Sequence, residues 1–342
     1  MTYLGEPVAK DSVYSAVMAA FGLLGSLRRH SNGLVLCLHS VLGNGSANCG
    51  RMAIRAEFLT RMILDLRRRG VMLVPLSEAL SRAAGCSQPF AAITFDDGYR
   101  DNYEIAFPIL KKLDVPFTIF VTTGLVDRIF PMWWHVLEHV IERNEVIEYA
   151  GIRLPSATRK EKAIAYRLAS EYFRQLDLPA LIPATNALIS KNDSRLTGAD
   201  AFDQALDWGM IREMAGSGLA TFGGHTISHP LLARLGRSAL AAEIKGCRKR
   251  LREAADIKAE YFAYPFGQEA EVGGLAPLLA EEAGYAAAFT TQARPLRPQD
   301  LRLPFHLPRV MLSSKAQNEW IVHAYHSGLP ARLRELWPRR AA

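Results

Sequence analysis

Cysteine is scarce in this sequence. The 342 residues include four, at Cys37, Cys49, Cys86 and Cys247, and they lie far apart with no Cys-x-x-Cys spacing. A zinc ribbon or a disulfide framework requires closely spaced or numerous cysteines, so the sequence supports neither. Reduced cysteines in a reducing compartment are the simplest interpretation.

A long hydrophobic run is also missing. The apolar stretch Val13–Leu27 is shorter than the ~20 residues that a membrane-spanning helix needs. Arg28 and Arg29 follow the stretch, whereas the basic residues of a secretory signal precede its apolar part. We therefore expect residues 1–30 to contain a helix that packs on the domain, with no stable membrane span and a cytoplasmic location. Peripheral membrane contact is the alternative.

The charge shows no concentrated basic region. The formal net charge is +7, but lysine and arginine are scattered, whereas nucleic-acid binders gather them on one face or in one run. We expect no nucleic-acid partner; attraction to an anionic membrane surface or an acidic glycan stays open. The sequence has no repeats or low-complexity segments, and its 49% hydrophobic and 22% charged residues are typical of a globular protein.

Short apolar runs alternate with helical patterns along the first third of the chain. The runs at 33–38, 71–74, 90–95 and 116–122 predict buried strands, and residues 55–69 and 103–113 between them have helical spacing. This alternation is typical of parallel βαβ units, whose chemistry gathers at the carboxyl ends of the strands. It lapses at 127–205, where we predict a helical insertion, and resumes at 206–312. Residues 313–342 are predicted to form a C-terminal helix or tail.

Two adjacent carboxylates, Asp96 and Asp97, follow the predicted strand at 90–95. Side chains of a strand alternate between its faces, so both carboxylates reach one pocket only if the chain turns, which Gly98 permits. Close carboxylates repel unless a cation lies between them or one is protonated. One can then bind a metal while the other acts as a base. Solvated loop acids and a magnesium-binding acidic pair are the alternatives at this point.

Two histidines four residues apart, His225 and His229, follow another predicted strand. This spacing places both on one face of a helix or helical turn, where imidazoles can chelate zinc. Nitrogen ligands argue against magnesium, which prefers oxygen. A third strand-end turn, Tyr264–Gly267, contains a Pro-x-Gly sequence that can direct a backbone N–H toward a cleft and stabilise an oxyanion.

Together these motifs resemble the polysaccharide deacetylase family, whose members share the nodulation-protein-B (NodB) homology domain. Thr94–Gly98, His225–His229 and Phe262–Gly267 are similar to its first, second and third motifs in the same order. The resemblance covers residues 34–126 and 206–312, so the predicted catalytic domain is 31–126 with 206–312. It implies an α/β fold, a distorted (β/α)7 TIM-like barrel, and hydrolysis of N-acetyl or sometimes O-acetyl groups on a glycan.

The resemblance also implies roles for individual residues. Asp96 matches the catalytic base, and Asp97, His225 and His229 match the metal ligands. The backbone N–H of Phe266 matches the oxyanion donor. Zinc is expected from the ligand types, with Co²⁺, Ni²⁺ or Fe²⁺ as alternatives.

The third motif departs from the family pattern. Its first position usually carries an arginine that pairs with the catalytic aspartate, and here that residue is Ala263. Arg309, near the end of a late predicted strand, is a candidate replacement, with a structural or surface arginine as the alternative. Tyr264, Pro265 and Arg309 are also candidate substrate contacts.

The family's late Leu-x-His motif, whose histidine protonates the leaving amine, has no good match downstream. Leu36–His39 ends the first predicted strand in a similar way. Some relatives, notably deacetylases of poly-N-acetylglucosamine biosynthesis, carry this histidine before the aspartate pair, as in a circular permutation. The resemblance therefore makes His39 the candidate general acid, with a structural histidine as the alternative.

We expect a metal-dependent hydrolase that removes N-acetyl groups from an N-acetylglucosamine-type polysaccharide or chitooligosaccharide. A non-catalytic glycan-binding module and an amidase acting on a small non-sugar amide are the alternatives. Trp133, Trp134 and Trp208 are candidates for stacking on sugars, although indoles at such positions more often pack in the core.

Overall fold

The computed structural model describes residues 33–43, 52–192, 202–314 and 320–328, with isolated positions at 16, 18, 20, 196, 200, 317, 318 and 330. Only positions 16, 18 and 20 of the predicted N-terminal helix are described, and these are helical. Cys49 and residues 331–342 of the predicted tail lie outside the described residues.

A parallel sheet forms the centre of the protein. In the described part of the chain the strands are β1 (Gly33–Leu38), β2 (Ser40–Leu42), β3 (Ala53–Arg55), β4 (Met72–Leu73), β5 (Phe90–Phe95), β6 (Phe117–Val121), β7 (Val146–Tyr149), β8 (Ile152–Pro155), β9 (Ala220–Gly224), β10 (Tyr261–Ala263), β11 (Ala287–Phe289) and β12 (Val310–Met311). Seven follow the order β11-β10-β9-β6-β5-β1-β12, and β4 pairs with the start of β5. Leu307, just before β12, forms a parallel bridge with Phe289 of β11, so the sheet curls toward closure. The predicted distorted barrel is confirmed.

Helices lie between the strands. They are α1 (Ala56–Arg68), α2 (Leu76–Ala83), α3 (Phe107–Lys112), α4 (Thr123–Val126), α5 (Trp133–Arg143), α6 (Arg159–Phe173), α7 (Leu178–Lys191), α8 (Trp208–Gly216), α9 (Arg237–Ala255), α10 (Glu269–Val272), α11 (Leu275–Glu282) and α12 (Trp320–His326). A π-helical turn, Asn102–Ala106, precedes α3. Most of the longer helices bury one apolar face, as α1 does with the residues whose spacing predicted it, whereas α4 is buried along its whole length. Among the helices described, none combines the length and apolarity needed to cross a bilayer.

The barrel strands are buried on both faces, and alternation sorts their side chains. Leu36, Ile93 and Phe262 belong to the large apolar cluster shared with the surrounding helices. Val35 and Ala92 belong to a second cluster on the opposite face, which we call the inner face. Since side chains of a strand alternate, every second residue of a barrel strand faces the interior, and the residues between them face the helices.

The segment between α4 and α8 forms a separate apolar cluster. It contains α5, α6 and α7, and also an antiparallel hairpin in which β7 pairs with β8. The prediction of a helical insertion did not include this hairpin. The rings of Trp133 on α5 and Phe173 on α6 stack with centroids 5.3 Å apart, so this Trp packs inside the insertion.

Candidate metal and catalytic site

Three side chains that are remote in the sequence converge at the carboxyl end of the barrel. Asp97 Oδ1 lies 3.3 Å from Nε2 of His225 and 3.3 Å from Nε2 of His229. All three side chains are at least nine-tenths buried. Asp97 Oδ1 is buried without a hydrogen-bond partner among the described residues, although buried polar atoms normally have one. One carboxylate oxygen and two imidazole nitrogens are a typical donor set for zinc, so these residues fit a metal ion.

A backbone contact fixes the orientation of the His225 ring. Its Nδ1 lies 2.7 Å from the carbonyl oxygen of Ala263. Because a carbonyl only accepts, Nδ1 carries the proton and donates it. The lone pair of Nε2 therefore points toward Asp97, which is the arrangement found in histidines that bind metals.

The histidine loop, residues His225–His229, is not helical, so the predicted helical turn is wrong. Instead, Thr226 and His229 have left-handed φ values of 69° and 55°. Left-handed backbone is unfavourable for such residues, and it turns both imidazoles to the same side here. The Thr226 hydroxyl accepts a hydrogen bond from the backbone N–H of His229 at 3.0 Å.

Glu243 on α9 holds this loop from outside the motifs. Its carboxylate accepts hydrogen bonds from the backbone N–H groups of Ile227 at 2.8 Å and Ser228 at 2.9 Å, and from the Ser228 hydroxyl at 2.5 Å. The sequence did not predict a role for Glu243, because a glutamate on a basic amphipathic helix looks like an ordinary surface residue.

The chain turns at the acidic pair as predicted, but the turn begins at Asp97, one residue before Gly98. Asp97 has a φ of 72° and Gly98 a φ of 84°. The left-handed conformation at Asp97 brings its carboxylate to the histidines while Asp96 stays on the inner face. Strained non-glycine residues cluster at functional sites, and Asp97, Thr226, His229 and Phe266 are four such residues here.

Arg309 binds both oxygens of Asp96. Its Nη1 and Nη2 each donate to one carboxylate oxygen at 2.6 Å, and its side chain is completely buried. Burial alone would raise the pKa of Asp96, but the charge and the hydrogen bonds of the Arg309 guanidinium hold it below its ordinary value. Asp96 is therefore an ionised acceptor.

Alternation explains why Arg309 reaches this position. Val310 and Leu312 belong to the cluster shared with the helices, so Arg309 faces the barrel interior, as Ala263 does on β10. The arginine expected at Ala263 would enter the same space from another strand. Arg309 thus makes the contact to Asp96 that an arginine at position 263 was expected to make.

His39 follows β1 beside this pair. It groups with Cys37 and Asp96, with one candidate ligand atom of each within 4.8 Å of the others. This group is a poor metal site, because Arg309 occupies the carboxylate and burial raises the pKa of the Cys37 thiol. Burial lowers the pKa of His39, and the carboxylates Asp97 and Asp96 oppose that shift only in part.

Of the third motif, Phe266 lies against the histidine loop and the Tyr264 side chain does not. Phe266 has a φ of 61°, and its ring lies 4.7 Å from that of His229. Tyr264 faces the helices, is fully buried, and donates its hydroxyl to the Phe305 carbonyl at 2.9 Å. Pro265 is also buried. The structure therefore does not place Tyr264 or Pro265 on an open cleft, because alternation turns the Tyr264 side chain outward.

One of the three candidate tryptophans lies at the site. The ring of Trp134 is 5.1 Å from that of His229, and its Nε1 donates to the Tyr99 hydroxyl at 2.7 Å. Trp133 is 5% exposed within the insertion. Trp208 donates to the Asp127 carboxylate at 2.8 Å, away from the histidines.

Comparison with known proteins agrees with this geometry. The family profile described as Polysaccharide deacetylase matches residues 85–288, which is more than half of the chain. A 35-residue stretch is 54% identical to YxkH of Bacillus subtilis (strain 168), whose name places it in the same family; the match spans 10% of this chain and 12% of YxkH.

Solved structures share the fold. IcaB from Ammonifex degensii superimposes with a TM-score of 0.57 and 24% identity over 86% of this chain and 97% of its own. Streptococcus pyogenes deacetylase PplD gives 0.56 and 16% identity over 86% and 98%, and a de-N-acetylase from Aggregatibacter actinomycetemcomitans gives 0.56 and 17% over 86% and 99%. The profile match, which spans both the aspartate pair and the histidine loop, shows that the chain belongs to the polysaccharide deacetylase family of hydrolases.

Proposed function

We propose that this protein hydrolyses N-acetyl groups of an N-acetylglucosamine-type glycan with the help of a zinc ion held by Asp97, His225 and His229. The observation that carries the proposal is the unpartnered Oδ1 of Asp97, 3.3 Å from two imidazole nitrogens. Zinc in such a site supplies Lewis-acid polarisation of a carbonyl group and of water. Co²⁺, Ni²⁺ and Fe²⁺ fit the same donor set.

Asp96 has the properties of the general base. Its carboxylate is ionised and fixed by two hydrogen bonds from Arg309. Each carboxylate oxygen has about two lone pairs. Because Oδ2 also accepts a hydrogen bond from the Cys37 thiol at 3.3 Å, the lone pair that remains to accept a proton from the attacking water is on Oδ1. The neighbouring Asp97 turns away through its left-handed backbone, which leaves one carboxylate for the metal and one for the proton.

His39, which lies beside Asp96, is the proposed general acid. Burial lowers its pKa, which makes the protonated imidazole a stronger acid toward the departing amine and reduces the fraction of His39 that is protonated near neutral pH. The backbone N–H of Phe266 is the proposed donor to the oxyanion, since its left-handed turn lies against His229.

Trp134 favours a sugar over a small amide as the substrate. Its half-buried indole borders His229, and aromatic faces at such rims stack on apolar surfaces of ligands. The alternative of a decayed, non-catalytic module depended on the missing arginine. Arg309 supplies the guanidinium to Asp96, which removes the main argument for decay.

Metal content and turnover, measured on the same samples, test the proposal. Asp97→Ala and His225→Ala are expected to lose bound zinc, whereas Asp96→Asn is expected to keep zinc and lose acetate release from N-acetylglucosamine oligomers. An Asp96→Asn variant with full activity contradicts the assignment of the base. Stoichiometric zinc in Asp97→Ala contradicts the metal site.

A further inference from the structure

His39 lies at a junction between two sheets. β1 of the barrel ends at Leu38, and β2, which pairs with β3 outside the barrel, begins at Ser40. The main chain at His39 therefore determines where its imidazole lies. Within the described residues, the buried Nδ1 of His39 has no hydrogen-bond partner, so no contact at that nitrogen orients the ring.

Asp101 and Asn102, which follow the aspartate pair in the sequence, hold the main chain on both sides of His39. Asn102 is fully buried, and its Nδ2 donates to the His39 carbonyl at 2.7 Å and to Asp101 Oδ1 at 2.9 Å. The Ser40 hydroxyl donates to Asp101 Oδ2 at 2.5 Å. The carbonyl of His39 and the side chain of the next residue are thus tied to one Asp–Asn pair.

The backbone beneath this pair is unusual. Asn102 begins a π-helical turn that continues to Ala106, and such turns frequently occur at functional sites. The same β5–α3 connection carries Asp96 and Asp97. A single short segment therefore positions the proposed base, one metal ligand and the main chain of the proposed acid.

We infer that Asn102, Asp101 and Ser40 are positioning residues that hold His39 for proton transfer to the leaving amine. We call this set the His39 bracket. The inference rests on the proposed function, in which His39 is the general acid. Because proton transfer requires hydrogen-bond distance and alignment, loosening the bracket lowers turnover through His39 and leaves the metal ligands in place.

A double-mutant cycle between Asn102 and His39 tests the inference. The variants Asn102→Ala, His39→Ala and the double variant are loaded with zinc, and acetate release from chitotetraose is measured. Asn102→Ala alone is expected to lower kcat roughly 10-fold or more, with KM and zinc content unchanged. In the His39→Ala background the same substitution is expected to lower kcat less than about two-fold, since residues that act as a unit are not additive.

Asn192→Ala is the matched control. Asn192 is also buried and also donates through Nδ2 to two acceptors, the carbonyls of Glu148 at 2.8 Å and Leu188 at 2.7 Å, but it lies in the insertion. It is expected to lower the melting temperature without lowering kcat. If Asn102→Ala fails to fold, Ser40→Ala carries the cycle, because it removes one hydroxyl contact of the bracket.

A second measurement does not depend on turnover. In the histidine ¹³C–¹H NMR spectrum, the His39 ring signal, identified by its absence in His39→Ala, is expected to shift in Asn102→Ala or Ser40→Ala. The signals of His225 and His229 are expected to stay in place. An unchanged His39 signal overturns the inference.

The outcomes of the cycle distinguish a failure of the His39 bracket from a failure of the proposed function. Equal losses from Asn102→Ala in both backgrounds mean that Asn102 has only a structural role, which overturns the bracket and leaves the proposed function intact. A His39→Ala variant with wild-type turnover instead removes His39 from the proposed mechanism.

Discussion

Replacing Arg309 with methionine would leave a buried carboxylate without its cation. Arg309 is completely buried, and the side chain of Asp96 is 3% exposed, so bulk solvent does not replace the charge of the guanidinium. Methionine fills a similar volume without charge. Removing one partner of a buried ion pair typically costs about 3–5 kcal/mol.

This cost translates into a measurable change in melting temperature. An unfolding entropy of ~2.1 cal/mol/K per residue gives about 0.7 kcal/mol/K for 342 residues. The expected decrease for Arg309→Met is therefore roughly 4–7 °C at neutral pH. Measurements in a chelator remove any contribution from a bound metal.

The loss also depends on pH. In the wild type the pKa of Asp96 is lowered, so Asp96 adds stability above its unfolded pKa of about 3.9, and this stability is lost as the pH falls through the folded pKa. Without Arg309, burial raises the pKa of Asp96, so ionisation destabilises the variant as the pH rises through that raised value. The stability gap between the two proteins is expected to be largest near pH 7 and to narrow toward about pH 4.

Urea unfolding at several pH values measures this gap, with the double variant Arg309→Met/Asp96→Asn as the control. Removing both charges is expected to restore part of the free energy of unfolding, because no unpaired buried charge remains. A single variant that loses less than about 1 kcal/mol at pH 7, or a gap that does not change with pH, would refute the reasoning.

Two further substitutions test how the histidine loop is held. Glu243→Ala removes the acceptor of three hydrogen bonds and is expected to weaken zinc affinity roughly 10–100-fold in a competition titration; unchanged affinity would show that the loop needs no such support. Gly124→Ala would place its Cβ 2.4 Å from the backbone oxygen of Ile227, so we expect a loss of more than ~2 kcal/mol in denaturant unfolding. Gly85→Ala, whose Cβ meets nothing within 4 Å, is expected to stay within about ±0.5 kcal/mol, and equal effects of the two would contradict the steric argument.

The barrel was predictable because its strands are short, fully apolar runs separated by clear helical spacing. β1 and β5 begin and end where the sequence indicated. Because these strands are parallel to their neighbours, the residues after their carboxyl ends lie at one rim. The aspartate pair and the two histidines could therefore be assigned to a single site before any coordinates were known.

Long-range pairing was harder to predict. Arg309 is separated from Asp96 by 213 positions, and only the register of β12 against β1 brings them together. The left-handed residues of the histidine loop carry no signal, since Thr and His rarely adopt that conformation. Asn102 resembles any polar residue near a helix start, and its importance follows from contacts across the β1–β2 junction.

X-ray absorption at the zinc edge tests the central claim most directly. With one equivalent of zinc, coordination by Asp97, His225 and His229 predicts nitrogen and oxygen neighbours at about 2.0–2.2 Å, two of them imidazoles, and no sulfur. A zinc–sulfur distance of about 2.3 Å would place the ion at Cys37 or another thiol instead. Either that distance or the absence of stoichiometric zinc would contradict the account.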